Sequence, residues 1–147
     1  MPVAVESCPL VLCTDLAAGP EVRAALLEAG FEVTQKPIHE NTPVNGSPAQ
    51  LILIDGGAEV ERALKLCHRF HSQANDTFVP ILFLAADDAS AARRASFECG
   101  ADAFLPRPFE AAELIAQVQA LLRIKERHDQ LAVKAADAQR INQRLQA

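Results

Sequence analysis

Ala49-Gln50-Leu51-Ile52-Leu53-Ile54-Asp55 is the stretch that decides the fold. A run of branched aliphatics without polar alternation is a strand buried on both faces, as in a parallel sheet covered by helices. Asp55 ends that run. In open parallel sheets, ligands and chemistry collect just beyond the carboxyl ends of the strands. The residue is therefore a carboxylate delivered by a rigid strand to the edge where function sits.

Outward from this strand, four further apolar runs occupy residues 10–13, 31–34, 79–84 and 103–105. Between them lie helical patterns. Residues 20–29 carry Val22, Ala25, Leu26 and Ala29 at helical spacing before Gly30, and residues 58–74 align Val60, Ala63, Leu64, Cys67 and Phe70 on one face. A third helix is expected over 90–99, ended by Gly100. Strands alternating with helices imply right-handed crossovers and a doubly wound, five-stranded parallel α/β sheet. One crossover departs from this: residues 36–49 hold Pro37, Pro43, Gly46 and Pro48, so a loop is expected there.

Composition narrows the class. At 147 residues with half of them apolar, the chain can bury a core without staples. A net charge of −5 argues against nucleic-acid partners, and no apolar stretch reaches membrane-spanning length. The start lacks a signal-peptide pattern, and Cys8, Cys13, Cys67 and Cys99 show no paired spacing. They read as reduced thiols of a cytoplasmic protein.

After Pro108 there is neither glycine nor proline, and a helix is expected from Phe109 to the end. Leu121, His128, Ala135 and Asn142 at a, with Ile124, Leu131, Ala138 and Leu145 at d, form a heptad seam. The expected division is a domain over 1–123 and a coiled-coil helix over 124–147. A parallel homodimer is expected along this seam, with a covalently linked output domain beyond residue 147. A single solvated helix is the alternative reading.

Four segments together resemble the receiver domain of response regulators in two-component signalling. Leu10-Val11-Leu12-Cys13-Thr14-Asp15 is similar to the first strand, which normally ends in two acids. The run ending in Asp55 is similar to the third strand with its phosphoacceptor, and Val79–Ala86 to the fourth, which ends in a hydroxyl residue. Gly100-Ala101-Asp102-Ala103-Phe104-Leu105-Pro106-Arg107-Pro108-Phe109 looks like the last strand, with its aromatic switch and lysine-proline pair. The resemblance covers residues 9 to about 123 and implies the flavodoxin-like receiver topology.

It also implies a chemistry. Asp55 would accept a phosphoryl group from a histidine kinase or phosphotransfer protein, forming an aspartyl phosphate. Mg²⁺ would be held by Asp15, Asp55 and the carbonyl of Gly57. The family keeps the bond corresponding to Arg107–Pro108 cis. This is a signalling protein by that reading and not an enzyme.

The departures cut against it. Thr14 replaces one acid, which weakens any Mg²⁺ site. Ala85 replaces the hydroxyl that binds the phosphoryl oxygen, and Arg107 replaces the lysine that pairs with it. A planar guanidinium is not equivalent to an ammonium. Phe104 stands at the aromatic switch position and is expected to face inward permanently. The alternative function is therefore a pseudo-receiver, a docking or dimerisation module that works without phosphorylation. Asp55 and Asp15 as simple turn or helix caps are the plainer readings.

Overall fold

The computed structural model describes residues 9–14, 20–39, 42, 49–57, 60–72, 78–86 and 90–146, with 145 and 146 described by their backbone alone. In chain order these form β1 (Pro9–Cys13), α1 (Pro20–Glu28), β2 (Glu32–Lys36), β3 (Leu51–Asp55), α2 (Val60–Ser72), β4 (Ile81–Ala85), α3 (Ser90–Glu98), β5 (Ala103–Pro106) and α4 (Ala111–Gln146). The five strands make one sheet in the order β2-β1-β3-β4-β5, every neighbouring pair parallel. The doubly wound sheet expected from the alternating pattern is the fold observed. Between β2 and β3 the described residues contain no helix, and much of the loop expected at 36–49 lies outside the described residues.

Strand side chains alternate between two apolar layers. Val11, Cys13, Ile52, Ile54, Ile81, Phe83 and Phe104 meet Ala63, Leu66, Cys67 and Phe70 of α2 on one face. Leu10, Leu12, Leu51, Leu53, Leu82, Leu84 and Leu105 meet Val22 and Leu26 of α1 and Leu114, Val118 and Leu121 of α4 on the other. Burial on both sides is why β3 and β4 are apolar without interruption. Strand β2, at the edge, is polar and half-exposed.

Helix α4 is one uninterrupted helix of 36 residues, about 54 Å long at a rise of ~1.5 Å per residue. Its first half docks on the sheet, and docking runs past residue 123. Lys125 is only 3% exposed, and its ammonium donates to the carbonyl of Phe78 at 2.9 Å and to Asp129 at 3.0 Å. The His128 ring rests against that of Phe78, centroids 4.9 Å apart. Burial corrects the expected seam at its first a position. Leu121 is buried in the α1–α4 core layer, whereas His128 stays exposed with its ring against Phe78. Residues 130–144 are all exposed. Leu145 belongs to the helix, but its side chain lies outside the described residues.

Candidate functional site

Strand β3 delivers Asp55 to the carboxyl edge of the sheet, in register with Leu84 of β4. The carboxylate is fully buried. The chain turns immediately behind it, where the Gly56 amide donates to the Leu84 carbonyl at 2.7 Å. A side chain at 56 would press on the Phe83 ring, with a Cβ only 3.1 Å from Cζ. Gly57 follows with φ +46°. Thr14, buried at the end of β1, donates its amide to Lys36 at 3.0 Å. Asp15, the expected second carboxylate, lies outside the described residues.

A buried carboxylate needs a counter-charge or hydrogen bonds. Arg107 supplies both. It follows β5, and its guanidinium reaches back over β4 to bind Asp55 through two parallel bonds, Nη1 to Oδ1 at 2.9 Å and Nη2 to Oδ2 at 2.7 Å. Charge-assisted bonds of this forked geometry are the strongest that side chains make. The remaining edge of the guanidinium is used too: Nε donates to Glu21 Oε1 at 3.3 Å, and Nη1 lies 3.5 Å from the Ala85 carbonyl. The Phe109 ring lies 5.3 Å from the guanidinium carbon. The hydrogen bonds it donates to Asp55 are the chief reason that Arg107 holds its proton even more tightly than a free guanidinium, burial opposing them.

Ala85 ends β4 beside this pair and offers only a methyl group there, 2% exposed. Phe104 faces inward at 8% exposure. Its ring runs nearly parallel to that of Phe83, 6.1 Å away and tilted by 7°, and the Arg93 guanidinium lies 4.9 Å from it. The Arg107–Pro108 peptide is cis.

Of the residues expected to hold Mg²⁺, Asp55 already accepts from Arg107 at both oxygens. Thr14 stands where the family's other acid would help, and Asp15 lies outside the described residues. A divalent cation demands several oxygens in near-octahedral array and would be repelled by the adjacent fixed positive charge. No cluster of three or more His, Cys, Asp or Glu side chains is placed to hold a metal among the described residues. His68, next to Cys67 in sequence, instead shares a 3.4 Å contact with Ser72 on the exposed side of α2.

The role of Arg107 was only half legible in the sequence. Its position in the last-strand motif marks it as the phosphoryl-facing cation. Its two-pronged capture of Asp55, and the part played by Glu21, appear only once β3, β5 and α1 are folded together.

A parallel sheet in 2-1-3-4-5 order, with a buried aspartate at the end of its central strand and a cation arriving from β5, is the architecture of a receiver domain. Comparison with known proteins agrees. No protein-family model matches the sequence. The chain is 31% identical over 125 residues to response regulator MprA of Mycobacterium sp. (strain KMS), covering 84% of this chain and 52% of that protein. Over 60 residues it is 43% identical to MprA of Mycobacterium leprae (strain TN), 41% of this chain and 25% of that one. In shape it is similar to a CheY-like receiver domain protein from Methanospirillum hungatei JF-1, with a TM-score of 0.70 at 15% identity over 83% of this chain and 98% of the other. NtrX from Brucella abortus gives 0.74 at 15% identity, over 86% and 29%. The chain belongs to the response-regulator receiver family of two-component signalling. It spans about half the length of that Mycobacterium sp. MprA protein.

Proposed function

We propose that this receiver domain works as a phosphorylation-independent signalling module, a protein-docking unit in the cytoplasm whose state is passed on through α4 to an output domain. One observation carries this reading: the forked Arg107–Asp55 pair, in which a fixed cation already engages both of the carboxylate oxygens that phosphoryl attack or Mg²⁺ binding would use. Attack by a carboxylate requires a lone pair on an oxygen and a cation to screen the incoming anion. Here each oxygen already gives one of its two lone pairs to an N–H donor of Arg107, which must let go before Asp55 can act as a free nucleophile. Ala85 supports the same reading, because no hydroxyl is present at that position to grip a phosphoryl oxygen. Inward Phe104, held between Phe83 and Arg93, supports a domain that keeps one conformation. No described helix is long and apolar enough to cross a membrane.

A second reading keeps Asp55 as an acceptor from a histidine kinase or phosphotransfer protein, with Mg²⁺ bound through Asp15, Asp55 and Gly57. The acidic residues at the ends of the first and third strands favour it. Intact mass after incubation with acetyl phosphate and Mg²⁺ separates the two. The proposal expects no phosphoryl adduct on the wild type and an adduct on the Ala85→Thr/Arg107→Lys variant, which restores the hydroxyl and ammonium of the family. An adduct on the wild type that is lost in Asp55→Ala would establish the second reading instead.

A further inference from the structure

The part of α4 that leaves the domain carries two kinds of apolar residue that exposure does not distinguish. Leu131 and Val133 are both 60% exposed, and Ile141 is 59% exposed. Heptad position separates them. Leu131 is at d and is followed by Ala135 at a, Ala138 at d and Asn142 at a, whereas Val133 lies at f on the opposite side of the helix. The charges are sorted the same way. From residue 124 to 146 no acidic residue occupies an a, d, e or g position. Glu126, Asp129 and Asp137 all lie at b, c or f, and Asp137 pairs with Arg140 on that outer side at 3.0 Å.

We infer that α4 beyond Asp129 pairs in parallel with a second copy of this chain along Leu131, Ala135, Ala138 and Asn142. The seam begins later than the apolar pattern implies, because Leu121 is buried in the domain and the His128 ring leans on Phe78. Asn142, which pairs best with its own counterpart, marks a second copy as the occupant, and charge selects the direction. In a parallel pair each g position faces the e position of the next heptad on the partner helix. Here that sets Arg127 against Ala132, Lys134 against Gln139 and Ile141 against Gln146, so no like charges meet. An antiparallel pair would set g against g and bring Arg127 and Lys134 against their own kind. Asn142 at an a position meets its own counterpart only in a parallel, in-register pair, where the two amides can bond to each other. The clamp of Lys125 and His128 on Phe78 then fixes how the domain is turned relative to that seam.

This inference is independent of whether Asp55 accepts a phosphoryl group, and its test reads assembly alone. Two and a half heptads with two alanines give a weak, reversible dimer, so the measurement is sedimentation equilibrium of the full chain over a concentration series. The wild type is expected to approach twice the monomer mass at high concentration. Leu131→Asp is expected to remain monomeric, while Val133→Asp, at equal exposure on the same helix, and His128→Ala keep the dimer. Circular dichroism of each variant checks that the helix is retained. Direction is read by an Asn142→Cys variant treated with diamide, since residue 142 lies at one end of the seam: a disulfide-linked dimer, absent from wild type and from Val133→Cys, is expected for parallel pairing. A single monomer mass throughout, a trimer, or a dimer that Leu131→Asp leaves intact would each overturn the inference.

Discussion

Arg107 and Asp55 are joined across an intervening strand: they sit at the ends of β5 and β3, with β4 between them, and meet over Ala85. The pair therefore ties together three strand ends, and through Glu21 it also ties in the start of α1. It also neutralises a carboxylate that has no exposure to water.

Removing one member of such a pair leaves the other uncompensated, which typically costs ~3–5 kcal/mol when the abandoned charge is buried. Arg107→Ala abandons fully buried Asp55 and is expected to destabilise by about 3 kcal/mol. Asp55→Asn abandons the guanidinium, which is 21% exposed and keeps Glu21, and is expected to cost less. The double variant should be less destabilised than the sum, by roughly 1–3 kcal/mol of coupling. Urea denaturation of the four proteins measures this. Additive losses would show that the pair is geometrically close yet energetically idle.

The same pair governs the response to Mg²⁺. Millimolar Mg²⁺ should leave the melting temperature of the wild type unchanged, because a cation must displace a guanidinium already bound at both oxygens. Arg107→Ala should gain a Mg²⁺-dependent rise, since a ligand that binds only the native state stabilises it. Thermal melts with Mg²⁺ and with EDTA test both halves.

Two glycines at helix ends separate backbone strain from crowding. Gly30 and Gly100 both have positive φ, +96° and +106°, but a Cβ at Gly30 would meet nothing, whereas one at Gly100 would run into the His71 side chain. Gly30→Ala should cost about 1 kcal/mol, the strain alone. Gly100→Ala should cost distinctly more, because α2 must also shift. Equal losses in chemical denaturation would remove His71 from the account.

Burial pushes the Cys13 and Cys67 thiols up to about 12, from an ordinary 9.0. The folded chain therefore keeps protons that the unfolded chain releases above pH 9. Stability from these two groups is fully present below pH 9 and is lost as pH climbs toward 12. Neither thiol should react with a maleimide or disulfide reagent at pH 8 until the chain unfolds. Rapid native-state labelling of Cys13 or Cys67 would contradict their burial.

Lys125 tests the clamp on α4. Replacing it by methionine keeps the stem but leaves the Phe78 carbonyl without its 2.9 Å donor, at an expected cost of about 1–3 kcal/mol. Asp129, with a side chain 47% exposed, can turn to water. Faster hydrogen exchange in the α4 turns around 121–129 is the specific signature. Unchanged exchange there would mean that the apolar contacts of Leu114, Val118 and Leu121 hold the helix alone.

The sequence by itself determined the order of elements, because uninterrupted runs such as Leu51–Asp55 have to be buried on both faces and helical runs have to cover them. It also carried the marks of the site: Asp55 at a strand end, Ala85 and Arg107 in place of a hydroxyl and a lysine, and Phe104 between apolar neighbours. Heptad spacing announced the long helix but could not say where the domain lets it go. Leu121 fits the seam and the domain equally well by period, and only the position of the α1–α4 layer decided between them. Tertiary structure alone also decided what Arg107 does. Residues 55 and 107 are 52 positions apart, and no local pattern records that a guanidinium leaving β5 crosses β4 at the height of a carboxylate leaving β3. Periodicity is a local property that the chain carries with it, whereas charge pairing across a sheet exists only after its strands are in register.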